Sequence, residues 1–296
     1  MQMFLVLLPI LAPVFITAAV GFAWTRWGGG FNADFVAKIV TNIFAPALIF
    51  NTLTSSTVEA GRIFGAAAAI IACILIAGAV GYALLRILKA PIRAYLPATM
   101  FPNLGNIGGP VCYFAFGDEG LAYAVAVMAA GSIAMWTIGA WISSGQLSPR
   151  RALLSPPIIA AVAGSIVIGL GWAIPEWARN SLELLAAPTF PLMLLALGAS
   201  LATMKVSNVR LSAGLGAFRI VAGALIGIGV SEALGLTGAL RGVIILQSSM
   251  PSAVFNFLFA QVNDRRPDEV AGLVVASTLI SAVTLPLPVA YVLSLS

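Results

Sequence analysis

The chain has 296 residues, of which 60% are hydrophobic and 8% charged, against about a quarter charged in an ordinary soluble domain. So few charges cannot cover a water-facing surface, and a net charge of +5 without a basic cluster leaves no footprint for nucleic acid. Histidine is absent, which removes histidine catalysis, metal ligation and proton relay, and Cys73 and Cys112 lie inside apolar runs that make no disulfide scaffold.

A helix crosses the hydrocarbon layer with about 20 mostly apolar residues. Taken in chain order, such runs predict ten spans: 4–25, 36–54, 63–85, 97–116, 120–143, 154–174, 182–203, 211–231, 239–262 and 269–293. The first starts MQMFLV without a basic stretch and is interrupted by Pro9 and Pro13, so it reads as a retained helix rather than a signal peptide. Short clusters of turn formers and charges join the runs, such as Trp27-Gly28-Gly29-Gly30 and Asn263-Asp264-Arg265-Arg266-Pro267. Period-two alternation, which a barrel would require, is missing. The fold class is therefore an all-α polytopic membrane protein. Trp24, Trp27, Trp172 and Trp177 fall at span ends and read as interfacial anchors.

Basic residues near span ends set the orientation. Odd-numbered loops carry eleven (Arg26, Lys38, Arg86, Lys89, Arg93, Arg150, Arg151, Lys205, Arg210, Arg265, Arg266), and even-numbered loops carry Arg62, Arg179 and Arg241. This places the odd loops in the cytoplasm and both termini outside it.

The chain also reads as two copies of one plan. Pro13 and Pro156 are 143 residues apart, Ala45-Pro46 and Ala187-Pro188 are 142 apart, and Pro110 and Pro251 are 141 apart. Asp118-Glu119 opens the fifth span as Asp268-Glu269 opens the tenth; both pairs also suit the positive end of a helix. Residues 1–143 and 152–296 are the expected repeats. Because each has an odd number of spans, they enter the bilayer in opposite senses, the inverted-repeat plan of secondary transporters.

Two spans are interrupted. The fourth reads Phe101-Pro102-Asn103-Leu104-Gly105-Asn106-Ile107-Gly108-Gly109-Pro110, and proline and glycine both weaken a helix there. The ninth reads Gln247-Ser248-Ser249-Met250-Pro251-Ser252, with Asn256 one turn on. Unsatisfied backbone groups cost several kcal/mol in hydrocarbon, so such segments persist only inside protein or beside a wet cavity. Broken helices 4 and 9 that cross near the midplane would aim half-helix N-termini at an anion. Asn103, Gly105, Asn106, Gly109, Pro110, Gln247, Ser249, Met250, Pro251 and Ser252 are the candidate substrate-binding residues, with Asn42 on the second span and Arg219 on the eighth. Asn42 otherwise caps a helix end or bonds across to a neighbouring helix. Arg219 stands about nine residues inside its span, roughly 13 Å deep. It either faces the interior, pairing with an anion or steadying the crossover, or snorkels to the interface.

The segments FPNLGNIGGP and FGDEGL, LQSSMPSAVFNFLFAQV and DEVAGLVVASTLISAVTLPL, together with NIFAPALIF of the second span, resemble the auxin efflux carrier family. That family includes the plant PIN-formed carriers and bacterial malonate-type permeases. The resemblance runs over nearly the whole chain. It implies ten helices akin to the bile acid:sodium symporter-like fold, a scaffold domain from helices 1, 2, 6 and 7, and a transport domain from helices 3–5 and 8–10. It also implies an elevator motion, a homodimer through the scaffold, and a bacterial inner membrane. The long loop of the plant carriers is missing, so the expected solute is a small organic anion such as a carboxylate rather than auxin.

Residues 94–117 and 242–263 contain no Asp, Glu, Lys or Arg, so a proton-carrying carboxylate at the crossover is unsupported. Sodium held by neutral oxygens of Asn106, Ser132, Gln247 and Ser248 is allowed, which leaves open a sodium-coupled symporter of an organic anion or amino acid. Uniport driven by the membrane potential is equally allowed. An intramembrane enzyme lacks a serine–histidine dyad, paired intramembrane aspartates and a metal cluster. A receptor would need an extramembrane domain, for which no residues are left.

Overall fold

The computed structural model describes residues 2–145 and 154–295. Arg150 and Arg151, which entered the orientation count, lie outside the described residues. Within them the chain is helical, with one isolated bridge and no strand.

In chain order, α1 is Gln2–Arg26 and α2 is Ala33–Ile39, continued through a π-helical turn at Val40–Phe44 into α3, Ala45–Ser55. Helix α4 is Ala60–Ile87 and α5 is Ile92–Met100; a second π turn at Leu104–Gly108 leads into α6, Gly109–Ala134, and a third at Met135–Gly139 into α7, Ala140–Ser144. After the interval come α8 (Pro156–Gly169), α9 (Glu176–Ala186), α10 (Thr189–Thr203), α11 (Val209–Ala233), α12 (Gly238–Ser248), α13 (Val254–Val262), α14 (Pro267–Thr284) and α15 (Pro286–Leu293).

Seven stretches among the described residues are long and apolar enough to cross a membrane: Leu5–Arg26, Ala33–Ser55, Ala60–Ile87, Leu104–Ser144, Glu176–Thr203, Val209–Ala233 and Pro267–Thr284. The fourth of these is not a single rod. Gly117 has φ 61° and ψ −146°, a conformation open to glycine and closed to most residues, and the chain bends there just before Asp118-Glu119. The expected sixth span is shorter than its apolar run. Helix α8 stops after 14 residues because Gly171 (φ 65°) turns the chain and Pro175 caps the next helix.

Outward faces carry side chains that water would not tolerate in such number, including Leu184, Leu225, Val283 and Leu287. A bilayer accepts them, so the chain is an integral membrane protein embedded in lipid. Inside, small residues bring backbones together. A Cβ on Gly21 of α1 would lie 2.2 Å from the Leu195 carbonyl oxygen of α10, and one on Gly198 would lie 1.9 Å from that of Ala18. Helix α3 packs on α8 and α9, while α4 packs on α5 and α6, and α11 on α14, α12 and α4. The largest apolar core joins α4, α6 and α12 through Ile70, Ile74, Val111, Val243, Ile244 and Ile245, all nearly inaccessible. This core surrounds the two interruptions.

Candidate functional site

Helix α5 ends at Met100 and α12 at Ser248, and the extended residues after each lie side by side. Pro102 stands opposite Ser252 in an antiparallel bridge. The Asn103 N–H donates to the Pro251 carbonyl at 2.7 Å, and the Ala253 N–H donates to that of Phe101 at 3.2 Å. With those two bonds flanking it, the Pro102–Ser252 pair is of the non-hydrogen-bonded kind, where a missing N–H costs nothing. Pro251 cannot return a bond to Asn103, whose carbonyl accepts from the Gly108 N–H instead (3.1 Å). Thus a helix ends before each proline while the N–H groups of the bridge around them stay paired.

Side chains fasten the bridge. Asn103 Oδ1 accepts from the Asn106 N–H at 3.2 Å and caps the π turn. Asn256 Nδ2 donates to the Phe101 carbonyl (3.1 Å) and to Ser252 Oγ (3.0 Å), and the Ser252 N–H donates to Ser277 Oγ (3.1 Å). Arg219 is 2% exposed and donates through Nη2 to the Ser248 carbonyl at 2.8 Å. The interior alternative for Arg219 therefore holds, and snorkelling is excluded.

Polar atoms without a partner gather in the same place. They include Asn103 Nδ2, both amide atoms of Gln247, Ser248 Oγ, Asn256 Oδ1 and Arg219 Nε. In a native interior nearly every buried polar atom is paired, so this concentration makes the region the candidate site, although the thiols of Cys73 and Cys112 reach Ser248 and Gln247. Gln247 lies against Gly108, where an added Cβ would come 2.0 Å from Gln247 Oε1.

An open cavity of about 980 Å³ reaches this region. One wall comes from Ala37, Val40 and Thr41 of the second span region and from Met193, Ala196, Ser200 and Thr203 of α10. The facing wall comes from Asn106 and from Val254, Phe255, Leu258 and Gln261 of α13. Asp34, Lys205 and Asp268 line it from helix ends and connections.

Of the sequence-derived candidates, Asn106 lines the cavity. Asn103, Pro110, Gln247, Ser249, Met250, Pro251 and Ser252 are buried around the bridge behind it. Gly105 and Gly109 face α10, where added Cβ atoms would lie 2.8 Å from Met193 Cε and 2.7 Å from Phe190 Cε1. Asn42 stands apart: it is exposed, donates to the Lys38 carbonyl at 2.7 Å, and its neighbour Thr41 faces the cavity. Ser132 is half-buried and does not line the cavity.

The interruption expected over the whole of 101–110 is confined to 101–103. Pro110 follows a complete π turn and occupies the first turn of α6, and the proline that stands in the bridge, opposite Ser252, is Pro102. The cavity wall from α10 and α13 was missed. Its sequence signals are the hydroxyl pair Ser200 and Thr203, spaced for one helix face, and Gln261 on α13.

Comparison with known proteins agrees with this architecture. The membrane transport protein family matches residues 6–148 and again 141–289. An uncharacterized transporter of Methanothermobacter thermautotrophicus is 27% identical over 272 residues, covering 86% of this chain and 88% of that one. A second, from Methanocaldococcus jannaschii, is 26% identical over 274 residues with the same coverage. The chain belongs to the membrane transport protein family, the auxin efflux carrier-like group that its motifs resemble, and is a transport protein rather than an enzyme.

Proposed function

We propose that this transporter is a secondary carrier for a small organic anion such as a carboxylate, with its site where the two interruptions meet the cavity. The single observation that carries this reading is the paired bridge at Pro102 and Ser252 beside the open wall formed by Asn106, Val254 and Phe255. Helix α13 begins at Val254 without a side-chain cap, so its first N–H groups and the positive end of its dipole are available to an anion. Asn106 adds an amide from the other interrupted helix.

Ten passes follow if Leu104–Ser144 is divided at Gly117, and if Pro156–Gly169 and the α12–α13 pair each count as one crossing. The repeats at 1–143 and 152–296 are then inverted. Helices α1 to α3 and α8 to α10 would form the scaffold, and the remainder, with the interrupted helices, the moving body. The cavity lies between those two groups, which suits an elevator displacement of one against the other. Its mouth carries residues of the first, seventh and ninth connections. By the distribution of basic residues that side is cytoplasmic, so the conformation is inward-open.

Sodium coupling through Asn106, Ser132, Gln247 and Ser248 is less well supported. Asn106 faces the cavity, Gln247 packs beside Gly108 behind it, and Ser132 is outside it.

A thermal-shift screen of the detergent-solubilised protein against small carboxylates, with matched amines as controls, tests the proposal. Stabilisation by at least one carboxylate and by none of the amines is expected. A preference for amines, or indifference to every carboxylate in a broad panel, would overturn it.

A further inference from the structure

A buried cation in a membrane protein pairs with a carboxylate or with backbone carbonyls. Arg219 has no carboxylate partner: among the described residues, none of the ion pairs includes it. Its one acceptor is the Ser248 carbonyl, the last of α12. The carbonyls of Ile245 and Leu246 accept from the Ser249 N–H, and that of Gln247 accepts from the Met250 N–H. Ser248 is the residue whose carbonyl is left for the guanidinium, at the negative pole of the half-helix.

The surrounding sequence is cut to permit this. On α11, a Cβ at Gly223 would lie 2.0 Å from the Ser248 oxygen, and one at Gly227 would lie 2.9 Å from Ser248 Cβ. Between Arg219, Cys73, Met100, Pro102 and Ser248 there remains a void of about 10 Å³, space for roughly one water. Ser248 Oγ, on the wall of this void, has no partner other than the Cys73 thiol. A half-helix carbonyl end and a hydroxyl beside a small void form a donor set suited to a small monovalent cation. The charge that would satisfy it is already present as a side chain. A sodium ion added beside the guanidinium would meet a like charge in a poorly screened interior.

We infer that Arg219 is a resident cation: it holds the C-terminal pole of α12 where a coupling ion would otherwise sit, and its removal uncovers a latent site for a small monovalent cation. The inference rests on reading the bridge as the transport site. It makes Arg219 a positioning residue that fixes Ser248 and, through it, the extended segment to Ser252.

The test uses the full chain in detergent and reads melting temperature in sodium, potassium, choline and millimolar guanidinium chloride. The parent protein and Arg219→Lys are expected to melt alike in sodium, potassium and choline. Arg219→Ala is expected to melt lower in choline and to recover part of the loss in guanidinium or sodium. A merely structural arginine would give a loss that no cation restores, and that result would overturn the inference. If Arg219→Ala does not fold, binding of radioactive sodium to the parent protein decides: none is expected, and saturable binding would overturn the inference. Carboxylate stabilisation of the parent protein is scored separately, so the proposed function can stand or fall independently of Arg219.

Discussion

Replacing Gly223 by alanine tests how the interrupted helix is held. The new methyl carbon would lie 2.0 Å from the Ser248 carbonyl oxygen and 3.1 Å from Arg219 Nη1. Both obstacles belong to the Arg219–Ser248 pair, and the nearer is backbone, which cannot swing aside as a side chain does. Reaching ordinary contact requires the two helices to separate by about 1 Å or more. The Arg219–Ser248 hydrogen bond, now 2.8 Å, would then pass beyond bonding distance. Overpacking of this kind costs about 1–3 kcal/mol, and losing a hydrogen bond to a charged group about 1.5–3 kcal/mol more. Gly229, on the same helix, has nothing within 4 Å of its would-be Cβ. There, alanine should help by up to about 1 kcal/mol through helix propensity. Melting of the two purified variants therefore separates packing from composition. Gly223→Ala should melt well below the parent and Gly229→Ala at or above it; equal melting of the two would refute the seating of α12 on α11.

Two further outcomes follow from the site. Asn103→Ala removes the cap on the π turn, worth about 1 kcal/mol, and should leave a folded protein that carboxylates no longer stabilise; a carboxylate shift equal to the parent's would remove Asn103 from the site. Gln261→Cys should react with a membrane-impermeant maleimide from the cytoplasmic side of inverted vesicles, because Gln261 is exposed in the cavity. Buried Cys73 and Cys112 should stay silent, and labelling from the opposite side alone would reverse the orientation.

Membrane residence and the approximate spans were legible because a chain that buries its backbone in hydrocarbon must write long apolar runs. The interruptions were legible because proline and glycine leave few alternatives inside such runs. Their exact extent was not: Pro102 and Pro110 look alike in sequence, yet Pro110 is accommodated in the first turn of α6 while Pro102 stands where the bridge needs no N–H. The depth of Arg219 could be counted along its span, but its acceptor is a backbone carbonyl, which carries no sequence signature. Asn42, four residues before Pro46, reads either way in sequence, and in the structure its amide donates along its own helix to the Lys38 carbonyl. The α10 wall escaped notice for a similar reason. Alanine, leucine and serine along a membrane helix serve packing and cavity equally, and only the position of the facing helix distinguishes them.

The decisive measurement concerns the bridge itself. With Cys73 and Cys112 replaced by alanine, a Pro102→Cys, Ser252→Cys protein places two thiols on a non-hydrogen-bonded antiparallel pair, with Cα atoms about 4.5 Å apart, inside the range a disulfide spans. Mild oxidation in native membranes should join the peptides containing positions 102 and 252, as read by mass spectrometry, with no such product from a Pro102→Cys, Leu184→Cys control. Absence of the linked pair under conditions that oxidise exposed thiols would contradict the meeting of the two interruptions on which the carrier site depends.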